Sequence, residues 1–193
     1  MIKIITIARE YGSGGRLIGQ MVAQKLGLTY YDNQIIDLAA KELGFDIDTI
    51  RKASQEKSSG FLYTMAGGSF QMPLNDQVFA TQSKIIRHLA LNDSCIIVNG
   101  CADYILEDYE HVLRVFIHAP LESRIARVKN DYKEGQGEDI KKYVVSKDKK
   151  RENYYNYYTT NKWGQLKNFD LTINSDLGLQ EAADIIVELY KKI

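Results

Sequence analysis

Apolar positions in this chain fall into two rhythms. Short, nearly unbroken apolar runs occur at residues 2–8, 95–98, 113–118 and 171–173, with a shorter one at 29–31, each bounded by polar or glycine-containing breaks. Runs of that length without alternation predict strands buried on both faces. Between them the apolar residues recur at helical spacing. This predicts helices over 16–26, ended by Gly27; over 33–43, with Asp32 placed to cap it; over 46–56; over about 76–91; over 121–133, opened by Pro120; over 138–158, a polar one; and over 179–191. Residues 57–74, with Ser58, Ser59, Gly60, Gly67, Gly68 and Pro73, read as a mobile loop. Five apolar strands alternating with helices predict a three-layer α/β fold. A five-stranded parallel sheet is covered on both faces, with the run at 95–98 central.

A length of 193 residues suits a single domain, 1–193, with a full core. With 25 basic and 25 acidic side chains the formal net charge is zero, so bulk charge points to neither a nucleic-acid nor a membrane partner. No apolar run approaches the length of a membrane span, and Met1-Ile2-Lys3 leads into a strand without a signal-peptide layout. Cys95 and Cys101 flank a strand without metal-ligand spacing, as expected of reduced thiols in a cytoplasmic protein. His88, His111 and His118 are scattered, so no metal site is expected.

The candidate chemistry lies after the first strand. Arg9-Glu10-Tyr11-Gly12-Ser13-Gly14-Gly15 joins it to a helix that opens at Arg16. A strand, a glycine-rich turn and a helix N-terminus together form an anion site, because free N–H groups and the helix dipole converge there. Gly12, Ser13, Gly14, Gly15, Arg16 and Leu17 are its candidate residues. The phosphate-loop pattern G-x-x-x-x-G-K-[ST] is not met, however. With Gly14 as the second glycine, Arg9 stands at the first glycine position and Gly15 at the lysine. A tight strand-to-helix turn without a ligand is the other reading of the same residues. Asp32 follows the second strand, where ligands bind in open α/β sheets, and is also placed to cap a helix. Asp103 is similarly a candidate acceptor or magnesium contact, or a cap for 104–108. The tyrosines 154, 155, 157 and 158 and Trp163 suggest either base stacking or packing of a helix on the core, and their spacing around the helix favours packing.

The chain resembles the cytidylate kinase-like proteins among the nucleoside monophosphate kinases. The resemblance rests on Ala8-Arg9-Glu10-Tyr11-Gly12-Ser13-Gly14-Gly15-Arg16, on Tyr30-Tyr31-Asp32 and on Ile97-Val98-Asn99-Gly100-Cys101-Ala102-Asp103. It continues through Asp148-x-x-Arg151 followed by Tyr154-Tyr155, and ends at Leu171-Thr172-Ile173-Asn174-Ser175. It covers nearly the whole chain. An arginine on either side of a GSGG turn is the specific part, since ordinary cytidylate kinases carry the lysine missing here. The resemblance implies an acceptor-binding insert at about 33–75 and a lid at about 133–160, hinged near Gly135 and Gly137. It also implies ATP and Mg2+ as cofactors, with transfer of the γ-phosphate to a pyrimidine nucleoside monophosphate, CMP first. It places Arg16, Arg127 and Arg151 among the catalytic charges, Arg16 or Arg9 standing in for the lysine. Arg124 shares the helix of Arg127. Asp32, Asp148 and Arg151 fall on the acceptor side, with Lys147, Lys149 and Lys150 making the lid basic. Two departures from the family pattern stand out: the loop, where Gly15 replaces the lysine and Leu17 stands where many kinases have a hydroxyl, and the segment after the third strand, where Asn99-Gly100 replaces a Gly-Arg pair. Two other readings stay open: a non-catalytic nucleotide- or anion-binding protein of this fold, and a kinase for a non-nucleotide small molecule.

Overall fold

The structure is a computed structural model that describes residues 2–55, 72–98, 101–135 and 139–193. Most of the expected loop at 57–74, the Asn99-Gly100 pair and Gly137 lie outside the described residues. Five strands, β1 (Ile4–Arg9), β2 (Thr29–Tyr31), β3 (Cys95–Ile97), β4 (Val112–His118) and β5 (Leu171–Asn174), form one all-parallel sheet in the order β2-β3-β1-β4-β5. The sheet confirms the predicted class. The middle strand is β1 rather than β3. β1 pairs with β3 from Ile4↔Cys95 to Thr6↔Ile97 and with β4 from Ile4↔Val112 to Arg9↔Ile117. β3 is fully buried because it runs between β2 and β1, so its apolar run reports an interior strand and not the centre.

Alternation along the strands divides the core in two. Ile4, Cys95 and Ile97 point to one face, where they pack with α2 (Asn33–Leu43), α3 (Ile47–Ala53), α4 (Leu74–Asn92) and α5 (Ala102–Ile105). Ile5, Ile7, Ile96 and Val98 point to the other, under α1 (Gly15–Leu26) and α8 (Leu179–Tyr190). α6 (Leu121–Arg127) ends earlier than the predicted helix over 121–133. A π-helical turn, Val128–Tyr132, follows and closes on Lys133 in the left-handed region, φ 55°. α7 (Ile140–Tyr158) starts at Asp139, whose carboxylate accepts from the Lys141 and Lys142 amides. Its buried Tyr154 and Tyr155 join the first core, and Tyr158 stacks on Phe79 at 4.3 Å. Packing, the favoured expectation for this aromatic cluster, is what α7 does.

Both cysteines are free and buried, and burial pushes the Cys95 thiol up to about 12, so it stays protonated. No helix among the described residues is long and apolar enough to cross a membrane. No group of three or more metal-ligating side chains occurs among them either.

Candidate functional site

The centre of the sheet fixes the site. From β1 the chain has β3 on one side and β4 on the other, and the turn into α1 leaves the carboxyl end of β1, where open α/β sheets bind ligands. Residues 10–14 form that turn. Gly12 and Gly14 take φ of 79° and 81°, the left-handed region. A Cβ at Gly12 would stand 2.8 Å from the Arg124 carbonyl oxygen, and one at Gly14 2.6 Å from Leu179 Cδ2. The loop is therefore pressed against α6 and α8, and only glycine fits at both positions.

Its carbonyls are held from behind. Arg124 Nη1 donates to the Tyr11 carbonyl at 3.1 Å, Arg127 Nη1 to the Gly12 carbonyl at 2.7 Å, and the Ser175 hydroxyl to the Ser13 carbonyl at 2.6 Å. With the acceptors tied back, the helix-opening amides of Gly15, Arg16 and Leu17 border an open cleft. The first amides of a helix have no intrahelical acceptor, and the dipole favours an anion in front of them.

Two adjoining clefts meet at this point. One, of about 340 Å³, lies over the glycine turn and is lined by Gly12, Gly14, Gly15, Arg16 and Leu17. The other, of about 330 Å³, opens between α2, α3, α4 and α7, with Asn33, Arg51, Gln82, Lys150, Tyr154 and Trp163 in its wall. Arg9, Tyr11, Arg16, Glu134 and Arg151 line both. In the second cleft six basic side chains stand against two acidic ones, which suits an anionic ligand. Among the described residues, Gln82 Nε2 and the Tyr154 hydroxyl, on residues 3% and 6% exposed, are buried without a partner.

Residues 4–177 match the cytidylate kinase-like family. The chain belongs to that family. An uncharacterized protein of Eubacterium ventriosum shares 26% identity over 100% of both chains, with a TM-score of 0.75. Shikimate kinase from Acinetobacter baumannii, in complex with shikimate, shares 15% identity over 100% of this chain and 94% of its own, with a TM-score of 0.55. The APS kinase of Mycobacterium tuberculosis, in complex with AMPPNP and APS, shares 16% over 98% of each chain, with a TM-score of 0.53. The last two show the fold. No curated protein matches the chain.

Against this cytidylate kinase-like frame the expected site residues separate. Gly12, Gly14, Gly15, Arg16 and Leu17 line the loop cleft, as their motif suggested. Ser13 does not; it is buried, and its hydroxyl donates back to the Glu10 carbonyl at 2.9 Å. Asp32 sits at the N-cap position of α2 but caps nothing with its side chain. Its carboxylate lies 2.7 Å from Arg16 Nε and 3.4 Å from Arg9 Nη2, so the two arginines that flank the turn meet on it. Cap chemistry loses here because two guanidinium groups offer stronger, charge-assisted partners than an amide.

Asp148 and Arg151 share a face of α7, as their spacing required, yet among the described residues they do not pair with each other. Asp148 accepts from the Tyr11 amide at 2.7 Å and forms a short ion pair with Arg124. Arg151 donates to the Arg9 carbonyl at 3.0 Å and stands 5.2 Å over the Tyr11 ring. Burial, with Arg9 adding to it and Asp148 opposing, lowers the Arg151 pKa to about 9, so the side chain stays charged at neutral pH. Arg127 lines neither cleft. It borders a shallower one with Ser175, Asp176 and Leu179 behind the loop. Asp103 is neither a cap nor a cleft residue: it is buried on α5 and accepts from the Tyr155 hydroxyl at 2.6 Å.

Sequence reasoning did not find Gln82, Arg51 or Glu134, and it favoured packing for Tyr154, which is buried in the core and also lines the second cleft. Gln82 did leave a signal, since it interrupts the stripe Val78–Gln82–Ile86 with a polar group at a core position. Glu134 left none. Only folding brings its carboxylate to the Tyr11 and Tyr143 hydroxyls.

Proposed function

We propose that this protein is a phosphotransferase that moves the γ-phosphate of ATP to a pyrimidine nucleoside monophosphate, CMP first. The observation that carries the reading is the pair of adjoining clefts that share Arg9, Arg16 and Arg151 at their seam. A donor polyphosphate on the α1 amides and an acceptor anion in the basic cleft would then meet under the same positive charge. Phosphoryl transfer needs little more than in-line positioning and neutralised oxygens, because the acceptor brings its own nucleophile.

The loop suits a polyphosphate. The amides of Gly15, Arg16 and Leu17 open α1 with no acceptor earlier in the helix, and the carbonyls of Tyr11, Gly12 and Ser13 are tied back. Arg127, 3.5 Å from the Cβ position of Gly14, borders the separate shallower cleft with Ser175 and Asp176, the place a nucleotide base would take beside the loop. The residues do not fit a dedicated magnesium cage. Leu17 has no hydroxyl, and Asp32 is already engaged by two arginines. The metal, when present, belongs to the nucleotide.

In this reading α2 and α3 form the described part of the acceptor-binding insert, about 33–75. The segment about 133–160 is the lid, with α7 resting on the loop through Asp148 and Arg151. Arg151 holds the acceptor phosphate, and α7 excludes water over the seam.

A kinase for a non-nucleotide anion is the second reading. It is favoured by the six basic side chains in the acceptor cleft and by the structural similarity to shikimate kinase. The test is ADP release from magnesium-ATP against a panel of nucleoside monophosphates and small hydroxy acids. Turnover is expected with CMP. Turnover confined to a hydroxy acid favours the second reading. Nucleotide binding without turnover on any acceptor overturns both and leaves a binding protein.

A further inference from the structure

The loop has lost its lysine, and the structure shows what occupies the vacated space. A Cβ built on Gly15 would lie 2.9 Å from Arg9 Cβ, 3.0 Å from its Cδ and 3.3 Å from its Cγ. The stem of Arg9 crosses the first residue of α1 where a lysine side chain would leave the helix. A lysine at 15 and an arginine at 9 therefore exclude each other sterically, in a wall too tightly packed to yield cheaply.

The two arginines that flank the turn also differ in what they have left to give. Arg16 is 52% exposed and already makes a 2.7 Å charge-assisted bond to Asp32. Arg9 is 13% exposed, and its contacts, to Asp32 and to the Val98 carbonyl, are both long at 3.4 Å. A guanidinium has five N–H donors. Among the described residues only these two long contacts reach the Arg9 guanidinium, a weak setting for a largely buried cation that an incoming anion would improve. Arg9 lines both clefts, and its own carbonyl is pinned by Arg151 at 3.0 Å, so its backbone position is fixed by the lid helix.

We propose that Arg9, delivered from the end of β1, supplies the polyphosphate-neutralising charge that a loop lysine supplies from the helix, and that Gly15 is the space its side chain requires. The departure from the phosphate-loop pattern is then an exchange of one cation for another rather than a loss. The claim rests on reading the loop cleft as the polyphosphate site.

The test is a charge swap read by calorimetric binding of inorganic tripolyphosphate and of ADP, with the melting temperature of the free protein alongside. Arg9→Met keeps much of the stem and removes the charge; it should weaken both ligands about ten- to hundredfold. Arg9→Lys should recover most of that affinity, and Arg16→Ala should cost less than Arg9→Met. Gly15→Lys alone should lower the melting temperature and bind poorly, whereas Arg9→Ala with Gly15→Lys should recover both melting temperature and affinity. An Arg9→Met protein that binds as wild type, or a double variant no better than Gly15→Lys alone, overturns the assignment. Should wild type itself bind neither tripolyphosphate nor ADP, the site reading fails first and takes the assignment with it.

Discussion

Tyr154 carries a buried hydroxyl with no partner among the described residues, in the wall of the cleft proposed for the acceptor. A buried unpaired hydroxyl costs on the order of 1 kcal/mol or more. Tyr154→Phe should therefore leave the melting temperature unchanged or raise it. If acceptor and hydroxyl pair, the same change should raise the acceptor KM about tenfold while the ATP KM holds. Asp103 makes a different prediction. Burial pushes its carboxyl up to about 6, with the Tyr155 hydroxyl bond pulling the other way. A carboxyl whose pKa is higher folded than unfolded binds more protons in the native state between the two values. Its contribution to stability is then fully present below about pH 4 and lost as pH rises through about 6, by about 3 kcal/mol. Asp103→Asn removes that titration. Denaturant unfolding at pH 4, 5, 6 and 7 should show the stability of wild type falling relative to the variant across that window, and parallel curves would refute the account.

At the scale of one element, α7 is the part that joins the halves of the site. It reaches the glycine turn through Asp148, which holds the Tyr11 amide and Arg124, and through Arg151, which holds the Arg9 carbonyl. Lys147 lies 4.9 Å over Tyr143 and 5.8 Å over Tyr11, so the aromatic pair also carries cationic charge above the seam. Asp148→Ala removes one member of a largely buried ion pair and orphans an amide. Arg124 keeps Glu10 at 3.3 Å, so the expected cost is about 2 kcal/mol rather than the larger value of a fully stranded charge. Hydrogen exchange should show the loss as faster exchange in residues 10–13 and 140–151 together. Arg151→Ala should lower kcat more than it lowers ATP affinity, since its proposed role is on the acceptor phosphate. A variant in which ATP affinity falls as much as kcat would move Arg151 to the donor side.

Across the whole molecule, the clefts proposed for donor and acceptor meet at the carboxyl end of β1. β3 and the helices beyond it carry the acceptor wall, and β4, α6 and β5 carry the back of the loop. Because the clefts adjoin, a single ligand that spans them avoids the cost of bringing two molecules together. An adenosine–cytidine dinucleotide joined by five phosphates should raise the melting temperature more than ATP and CMP added together at the same concentrations. Exchange protection should appear at once over residues 12–17, 33–55 and 140–151. Protection confined to the first segment would mean that the acceptor cleft takes no nucleotide.

The sequence by itself determined the class of fold and the place of the glycine turn on which the anion-site reading rests, because both rest on local chemistry. Unbroken apolar runs have to be buried on two faces, and a glycine turn before an amphipathic helix has to present amides. The helix boundaries followed where the stop signal was local, as at Gly27, and failed where winding was set by packing, as in the π-helical turn Val128–Tyr132. Tertiary structure decided everything that depends on which side chains meet. Asp32 takes two arginines rather than capping α2, because those arginines arrive from β1 and from α1. Asp148 turns to Arg124 and not to Arg151, three residues along its own helix, because α6 brings Arg124 beneath the loop. Gly15 reads in the sequence as a missing lysine. In the fold it is the gap that admits Arg9, a steric relation between residues on different elements that no local pattern encodes.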